Sequence, residues 1–248
     1  MLTVGIDLAA RPERTAIARI LWRAGRAAVT DLRLGADDDA ILDAISGADK
    51  AGLDCPLGWP TDFVTYVSAH HDGVAAPPAE AAGPQWRRLL TTRLTDRVVR
   101  ESTGIAPLSV AADRIGHVAL RCAGLTAQLA RRGYPVDRCG TGLLVEVYPA
   151  ASLSRWGFPS RGYKRPRDVS ALGQMVDQLT ARAEWLDLGE HETACREKHD
   201  AFDAVFAALT ARAAALRMTA PPGEHQILNA RSEGWIALPE PNSWSRLT

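Results

Sequence analysis

The sequence predicts an α/β fold with a mixed sheet of five strands and flanking helices. Three apolar, β-branched segments follow one another closely near the start of the chain, whereas two later strand-like segments each follow a helical pattern. Because only these later strands have connections long enough for a crossover, only they can run parallel to a preceding strand. The sheet should therefore combine an antiparallel meander with parallel strands.

The five predicted strands are short apolar runs that stop at turn residues or acids. They comprise residues 2–8, 15–22, 27–34, 50–54 and 143–148. Pro56 and Pro60 end the fourth strand sharply, and Pro149 ends the fifth, because proline removes a backbone donor and fixes φ. The acid at the end of the first strand is Asp7, and that at the end of the fourth is Asp54.

Apolar residues at helical spacing predict helices at residues 40–45, 110–132, 170–186 and 194–218. Residues 61–109 are predicted to be irregular, with Pro77-Pro78 and Gly83-Pro84 inside them. So long a connection is typical of a functional or mobile segment. We expect it to form a cap or substrate-binding insertion within a single domain that spans residues 1–248.

Composition limits the classes of function. The chain has 29 Lys plus Arg and 29 Asp plus Glu, so its net charge gives no long-range attraction to phosphates, and any nucleic-acid site must be a local basic patch. No apolar stretch approaches the roughly 20 residues of a membrane span, and no targeting segment precedes the first strand. The four cysteines form no CxxC pair. These features predict a cytoplasmic protein without membrane partners or a disulfide framework, and leave its oligomeric state open.

Acids recur at predicted strand ends. Asp7 closes the first strand, Asp54 closes the fourth, and Glu146 lies within the fifth. Sites in open α/β sheets form at the carboxyl ends of strands, so these side chains should converge in one crevice. Crowded carboxylates raise one another's pKa unless a hard divalent cation with oxygen ligands neutralises them. The pattern therefore predicts bound Mg²⁺ or Mn²⁺.

The last predicted helix adds two acids, Asp200 and Asp203, which share one helical face because they are three residues apart. Small residues follow them, at Ala204, Ala207 and Ala208. These would let the helix approach the sheet closely enough for its acids to join Asp7. Each acid alone is better explained as a cap, a turn residue or a solvated carboxylate, but the set favours a metal site.

Two basic segments are candidates for phosphate binding. The first contains Arg87, Arg88, Arg93, Arg97 and Arg100, with Asp96 among them. Its alternative interpretation is a solvated helix face with ion pairs. The second contains Tyr163, Lys164, Arg165 and Arg167, with Trp156, Phe158 and Tyr163 available for base stacking, although a structural role is favoured for Trp156 and Phe158. His191, Cys195 and His199 recur at helical spacing, but a solvent face is favoured over a zinc site.

Seven short segments together resemble a family of uncharacterised proteins, the domain of unknown function numbered 429, whose members are predicted nucleases with a ribonuclease-H-like fold. They are residues 4–9 (VGIDLA), 52–58 (GLDCPLG), 93–96 (RLTD), 146–151 (EVYPAA), 163–164 (YK), 199–204 (HDAFDA) and 233–236 (EGWI). The resemblance covers nearly the whole chain. The last helix is also similar to that of Holliday-junction resolvases, which carry two acids three residues apart.

The resemblance implies a ribonuclease-H-like sheet and a metal-dependent nuclease or related phosphodiesterase, a hydrolase acting on DNA, RNA or a nucleotide. Asp7 would be the central ligand, Asp54 or Glu146 the ligand from a second strand, and Asp203, with Asp200 or His199, the ligand from the helix. Arg93, Asp96, Lys164 and His199 would contact substrate. If two ions bind, one would activate water and the other would stabilise the leaving oxygen.

Two other classes of function remain open. Nucleotide phosphate-binding proteins of the actin and sugar-kinase type also begin with a Gly-Ile-Asp strand, but here Leu-Ala-Ala-Arg-Pro follows Asp7 and no second half is apparent. ATP hydrolysis without nuclease activity would favour that class. The other class is a non-catalytic binding or scaffold module, and metal-dependent stabilisation that is lost in Asp7→Asn would speak against it.

Overall fold

A computed structural model describes residues 1–76, 85–164 and 169–248. In these ranges the chain forms a six-stranded mixed sheet in the order β5-β4-β1-β2-β3-β6. Its strands are β1 (Leu2–Asp7), β2 (Ala16–Arg23), β3 (Arg26–Leu34), β4 (Lys50–Asp54), β5 (Leu144–Glu146) and β6 (Leu186–Asp187). The predicted α/β fold with a mixed sheet is confirmed. The edge strand β6 was not predicted, because two residues carry no recognisable pattern.

Strand directions match the lengths of the connections. β1, β2 and β3 form an antiparallel meander, and β4 and β5 lie parallel to β1. The register between β1 and β4 pairs Asp7 directly with Asp54. Both strands therefore deliver an acid to the same edge of the sheet.

Helices cover both faces of the sheet, and each face has its own apolar core. In chain order the helices are α1 (Asp38–Ser46), α2 (Thr61–His71), α3 (Trp86–Thr91), α4 (Leu94–Thr103), α5 (Ile115–Arg131), α6 (Pro149–Arg155), α7 (Val169–Arg182), α8 (Glu192–Glu197), α9 (His199–Ala215) and α10 (Ile227–Glu233). Strands β7 (Thr219–Ala220) and β8 (Leu238–Pro239) form a separate antiparallel pair. Among the described residues, no helix combines the length and the apolar character needed to cross a membrane.

The prediction of an irregular segment at residues 61–109 is wrong, because this region contains α2, α3 and α4. Helices α2 and α3 bury none of their residues, so no apolar stripe marked them in the sequence. Helix α4 begins where the Asp96 carboxylate accepts a hydrogen bond from the Arg93 backbone N–H. The Pro77-Pro78 and Gly83-Pro84 pairs lie outside the described residues.

The predicted helix at residues 194–218 is also wrong as a single element. Lys198 has an extended backbone, with φ −126° and ψ 110°, and it separates α8 from α9. Helix α8 packs against α7 and α9, whereas α9 packs along strands β1, β2 and β4. Asp200 lies in the first turn of α9, and Asp203 lies one turn further along.

Helix α9 lies directly against the backbone of the sheet. A Cβ atom added to Gly5 of β1 would lie 2.0 Å from the Ala204 carbonyl oxygen and 2.2 Å from the Ala208 nitrogen. A Cβ atom added to Gly52 of β4 would lie 2.6 Å from the Ala207 carbonyl oxygen. The predicted close approach through small helix residues is therefore confirmed, and glycines on the strands complete it.

Gly5→Ala should destabilise the protein, because its methyl group would overlap the α9 backbone, which cannot rotate away as a side chain would. We expect a loss of at least about 1–3 kcal/mol in the free energy of unfolding, measured with urea. Gly124→Ala is the matched control, because Gly124 lies inside α5 and an added Cβ there meets nothing within 4 Å. That change should stabilise by roughly 0.5–1 kcal/mol, and equal effects of the two changes would contradict the close packing.

Candidate metal centre

Three acids from separate elements converge at the carboxyl end of the sheet. Asp7 ends β1, Asp54 ends β4, and Asp203 projects from α9. One carboxylate oxygen from each lies within 4.8 Å of the other two. We call Asp7, Asp54 and Asp203 the acid cluster. The register of β1 with β4 and the close approach of α9 to the sheet bring its members together.

A second group of potential ligands shares Asp7 with the acid cluster. One ligand atom each from Asp7, His199 and Asp200 also lies within 4.8 Å of the others. The His199 Nδ1 atom is 2.8 Å from an Asp200 oxygen, and the exposed Arg14 side chain contacts the other Asp200 oxygen at 3.1 Å. Two adjacent ligand sets with one common carboxylate thus lie at the start of α9.

Burial and like charges make ionisation of the acid cluster unfavourable. Burial raises the pKa of Asp7 well above its usual value, and the charges of Asp203 and Asp54 raise it further. Burial also raises the pKa of Asp54 to about 7; Lys164 opposes this shift, whereas Asp203 and Glu146 add to it. A cation bound among these carboxylates would therefore favour their ionised forms.

Lys164 forms an ion pair with Asp203. Its Nζ atom lies 2.5 Å from Asp203 Oδ2, while the buried Tyr163 hydroxyl donates a hydrogen bond to Oδ1 at 2.8 Å. Burial acts to lower the pKa of Lys164, but the charges of the acid cluster outweigh it and raise that pKa. Lys164, which the sequence suggested as a substrate contact, therefore contacts a candidate ligand directly. Arg165 and Arg167 lie outside the described residues.

Glu146 is held by Arg93 rather than by the acid cluster. The Arg93 guanidinium donates to both Glu146 oxygens, at 2.7 and 2.9 Å, and the Leu57 backbone N–H donates to one of them at 2.9 Å. Both side chains are only 2% exposed. Sequence reasoning left Asp54 and Glu146 as alternative ligands; the structure groups the Asp54 carboxylate with those of Asp7 and Asp203, whereas Glu146 pairs with arginine.

Arg93 and Asp96, the suggested substrate contacts, are buried partners of each other. Arg93 donates to both Asp96 oxygens and also to the Glu233 backbone carbonyl. Burial opposes the charge of Arg93, but Glu146 and Asp96 outweigh it and raise the pKa of the guanidinium. All five N–H groups of the Arg93 guanidinium are paired within the protein, although the residue lies on the wall of the cavity beside Asp7 and Asp54. This network fixes α4 against β5.

Glu233 is a structural residue for which sequence reasoning found no role. Its carboxylate accepts hydrogen bonds from the Thr61 N–H at the start of α2 and from the Leu94 N–H at the start of α4, at 3.1 and 2.8 Å. Helix N-termini favour a negative charge, so one carboxylate stabilises two helices. Its position in the EGWI segment was the only signal, because its partners are far away in sequence.

The other suggested sites are not assembled. Cys195 is buried in the apolar core, and the break at Lys198 separates His191 and Cys195 from the helix that carries His199. In the described ranges, the ligand groups that converge do not include His191 or Cys195. Trp156 and Phe158 are also buried in this core, which confirms the favoured structural interpretation over base stacking.

A cavity of about 330 Å³ opens beside Asp7 and Asp54, two members of the acid cluster. Its lining includes Asp7, Asp54, Lys164, the Tyr148 ring and the exposed Arg114. Sequence reasoning missed Arg114 because it precedes α5 as one of many exposed arginines. The cavity gives a ligand access to the Asp7 and Asp54 carboxylates, whereas Asp203 is fully buried.

The fold and this site together define an α/β protein with a candidate metal centre at the carboxyl end of its sheet. The family described as "Protein of unknown function (DUF429)" matches residues 5–226, and the chain belongs to that family. The matched region contains every residue of the acid cluster. No curated protein and no solved structure matches the chain.

Proposed function

We propose that this protein is a divalent-metal-dependent nuclease that hydrolyses phosphodiester bonds, with Mg²⁺ or Mn²⁺ as its cofactor. The observation that carries the proposal is the convergence of one oxygen each from Asp7, Asp54 and Asp203 within 4.8 Å. Clustered acids at the end of a sheet serve no capping role, and their mutual repulsion is a cost that a bound cation relieves.

The donor chemistry fits a hard divalent cation. The acid cluster carries three negative charges when ionised, and Lys164 supplies one positive charge beside it. The remaining two negative charges suit one divalent ion, and carboxylate oxygens without thiolates favour Mg²⁺ or Mn²⁺ over softer metals. The second set, formed by His199, Asp200 and the shared Asp7, supports an adjacent ion.

The proposed roles of the residues follow from these contacts. Asp7, Asp54 and Asp203 would hold the cation, with Tyr163 orienting Asp203 through its hydroxyl. Lys164 keeps a positive charge at this position, where it can attract a substrate phosphate. Bound divalent ions would activate water and stabilise the leaving oxygen of a phosphodiester.

The sheet gives further support. An antiparallel meander, two parallel strands and a helix that brings acids to the first strand form the arrangement expected for ribonuclease-H-like enzymes. Likeness of fold alone does not assign an activity. The weight of the proposal therefore rests on the carboxylates.

The test is cleavage of labelled single-stranded, double-stranded, hybrid and branched nucleic acids with Mg²⁺ or Mn²⁺. We expect wild-type protein to cleave at least one substrate, and we expect chelator or the Asp7→Asn, Asp203→Asn double change to abolish cleavage. Asp43→Asn is the control, because that side chain is 76% exposed and makes only a 3.6 Å ion pair. Equal activity in wild type and the double variant would indicate a contaminant, and no activity in either would contradict the proposal.

A further inference from the structure

A second cavity, of about 710 Å³, adjoins the one beside Asp7 and Asp54. The end of α4, the start of α6 and residues 160–164 line it. Tyr148 and Lys164 line both cavities. A ligand that reaches the acid cluster can therefore extend into this second space, which we call the basic groove.

The two arginines of the basic groove carry positive charge that no described carboxylate pairs, whereas its lysine, Lys164, is paired with Asp203. Arg100, Arg161 and Lys164 line the groove, and no acidic side chain does so within the described parts of the chain. Neither arginine forms an ion pair with a described carboxylate, and Arg161 makes only a 3.5 Å contact with the Gly104 carbonyl. Exposed Arg114 lies on the lining of the smaller cavity. In a chain with equal numbers of acidic and basic residues, this is a local basic patch.

The groove also has groups that suit a nucleic-acid strand. Guanidinium groups bind phosphate oxygens through paired hydrogen bonds, and the two arginines, which form no ion pair with a described carboxylate, are placed for this. Gly104 and Gly162 leave the wall without side chains at two points. Tyr148 is partly exposed and lines both cavities, and grooves for single strands combine positive charge with aromatic rings on which bases stack.

We propose that the basic groove binds the backbone of a single-stranded nucleic acid, with Arg100 and Arg161 holding phosphates next to the one at the acid cluster. The position of the cleaved phosphate rests on the proposed function, whereas binding in the groove does not require cleavage. The substrate is accordingly an oligonucleotide strand rather than a mononucleotide.

The test is fluorescence anisotropy with a labelled short oligothymidylate, in chelator so that cleavage does not interfere, at several salt concentrations. We expect the Arg100→Gln, Arg161→Gln double change to weaken binding about tenfold and to reduce the salt slope by roughly 1.4, because two phosphate contacts are lost. The Arg23→Gln, Arg26→Gln double change is the matched control. These exposed arginines lie at the β2–β3 turn, at the opposite end of the sheet.

The possible outcomes distinguish strand binding in the basic groove from the proposed nuclease activity. No binding by wild type, equal weakening in both double variants, or tighter binding of a duplex would overturn the inference. If the Arg100→Gln, Arg161→Gln variant loses binding while wild type cleaves nothing, the inferred strand binding is supported and the proposed nuclease activity is contradicted. If that variant cleaves an oligonucleotide with unchanged KM, the inferred strand binding is contradicted and the proposed nuclease activity is supported.

Discussion

Asp7→Asn should raise the melting temperature of the metal-free protein and abolish the further rise that Mn²⁺ gives to wild type. When it is ionised, the half-buried Asp7 carboxylate lies against those of Asp54 and Asp203, so a neutral amide of the same shape removes repulsion. The same change removes a ligand shared by both candidate sets. A ligand at a hundred times its Kd stabilises by about 2.7 kcal/mol, which a thermal melt resolves easily.

The stabilising effect of Asp7→Asn should grow with pH. The folded-state pKa values of Asp7 and Asp54 are raised, to about 7 for Asp54. The stability associated with the protonated carboxyls is therefore present below the unfolded pKa, near 4, and is lost as pH rises through the folded value. Melting in chelator should show a small gain at about pH 5 and a larger one at about pH 8. The exposed Asp43→Asn control should show no gain in melting temperature at either pH. A lower melting temperature for Asp7→Asn, together with an intact Mn²⁺ response, would contradict the proposed metal site.

Arg93→Met should destabilise the protein by about 3–5 kcal/mol, because it leaves the buried Glu146 and Asp96 carboxylates without their common partner. Urea unfolding gives the measurement. Arg100→Met is the matched control on the same helix, since Arg100 is exposed and its replacement should change stability by no more than about 0.5 kcal/mol. Similar losses in both variants would mean that the buried network is not the cause.

Glu146→Gln separates the structural interpretation of Glu146 from a role as a metal ligand. We expect this change to lower the free energy of unfolding but to leave the Mn²⁺ affinity of the folded protein unchanged, because Arg93 already occupies both Glu146 oxygens. Asp54→Asn should instead weaken Mn²⁺ binding. Calorimetric titration of both variants makes the comparison, and an equal loss of affinity would place Glu146 among the ligands.

The sequence by itself determined the features that depend on neighbouring residues. Strand ends were predictable because Pro56 and Pro149 stop the chain locally, and acids next to such ends point to one edge of a sheet. The alanines of α9 are also a local pattern, and their small side chains predicted the close approach of this helix to the sheet. These local patterns were sufficient to predict the mixed sheet and to select five candidate acids, Asp7, Asp54, Glu146, Asp200 and Asp203.

Only the tertiary structure decided which charged groups pair. Glu146 meets Arg93 across 53 residues of chain, and Lys164 meets Asp203 from a separate segment. Local pattern cannot distinguish a carboxylate that is free to bind metal from one that arginine neutralises, because the choice depends on burial and on partners far away in sequence. The extended backbone at Lys198 likewise has no sequence signal, yet it sets the start of α9. Long-range packing therefore decided which acids converge in one cluster and which belong to a buried ion-pair network.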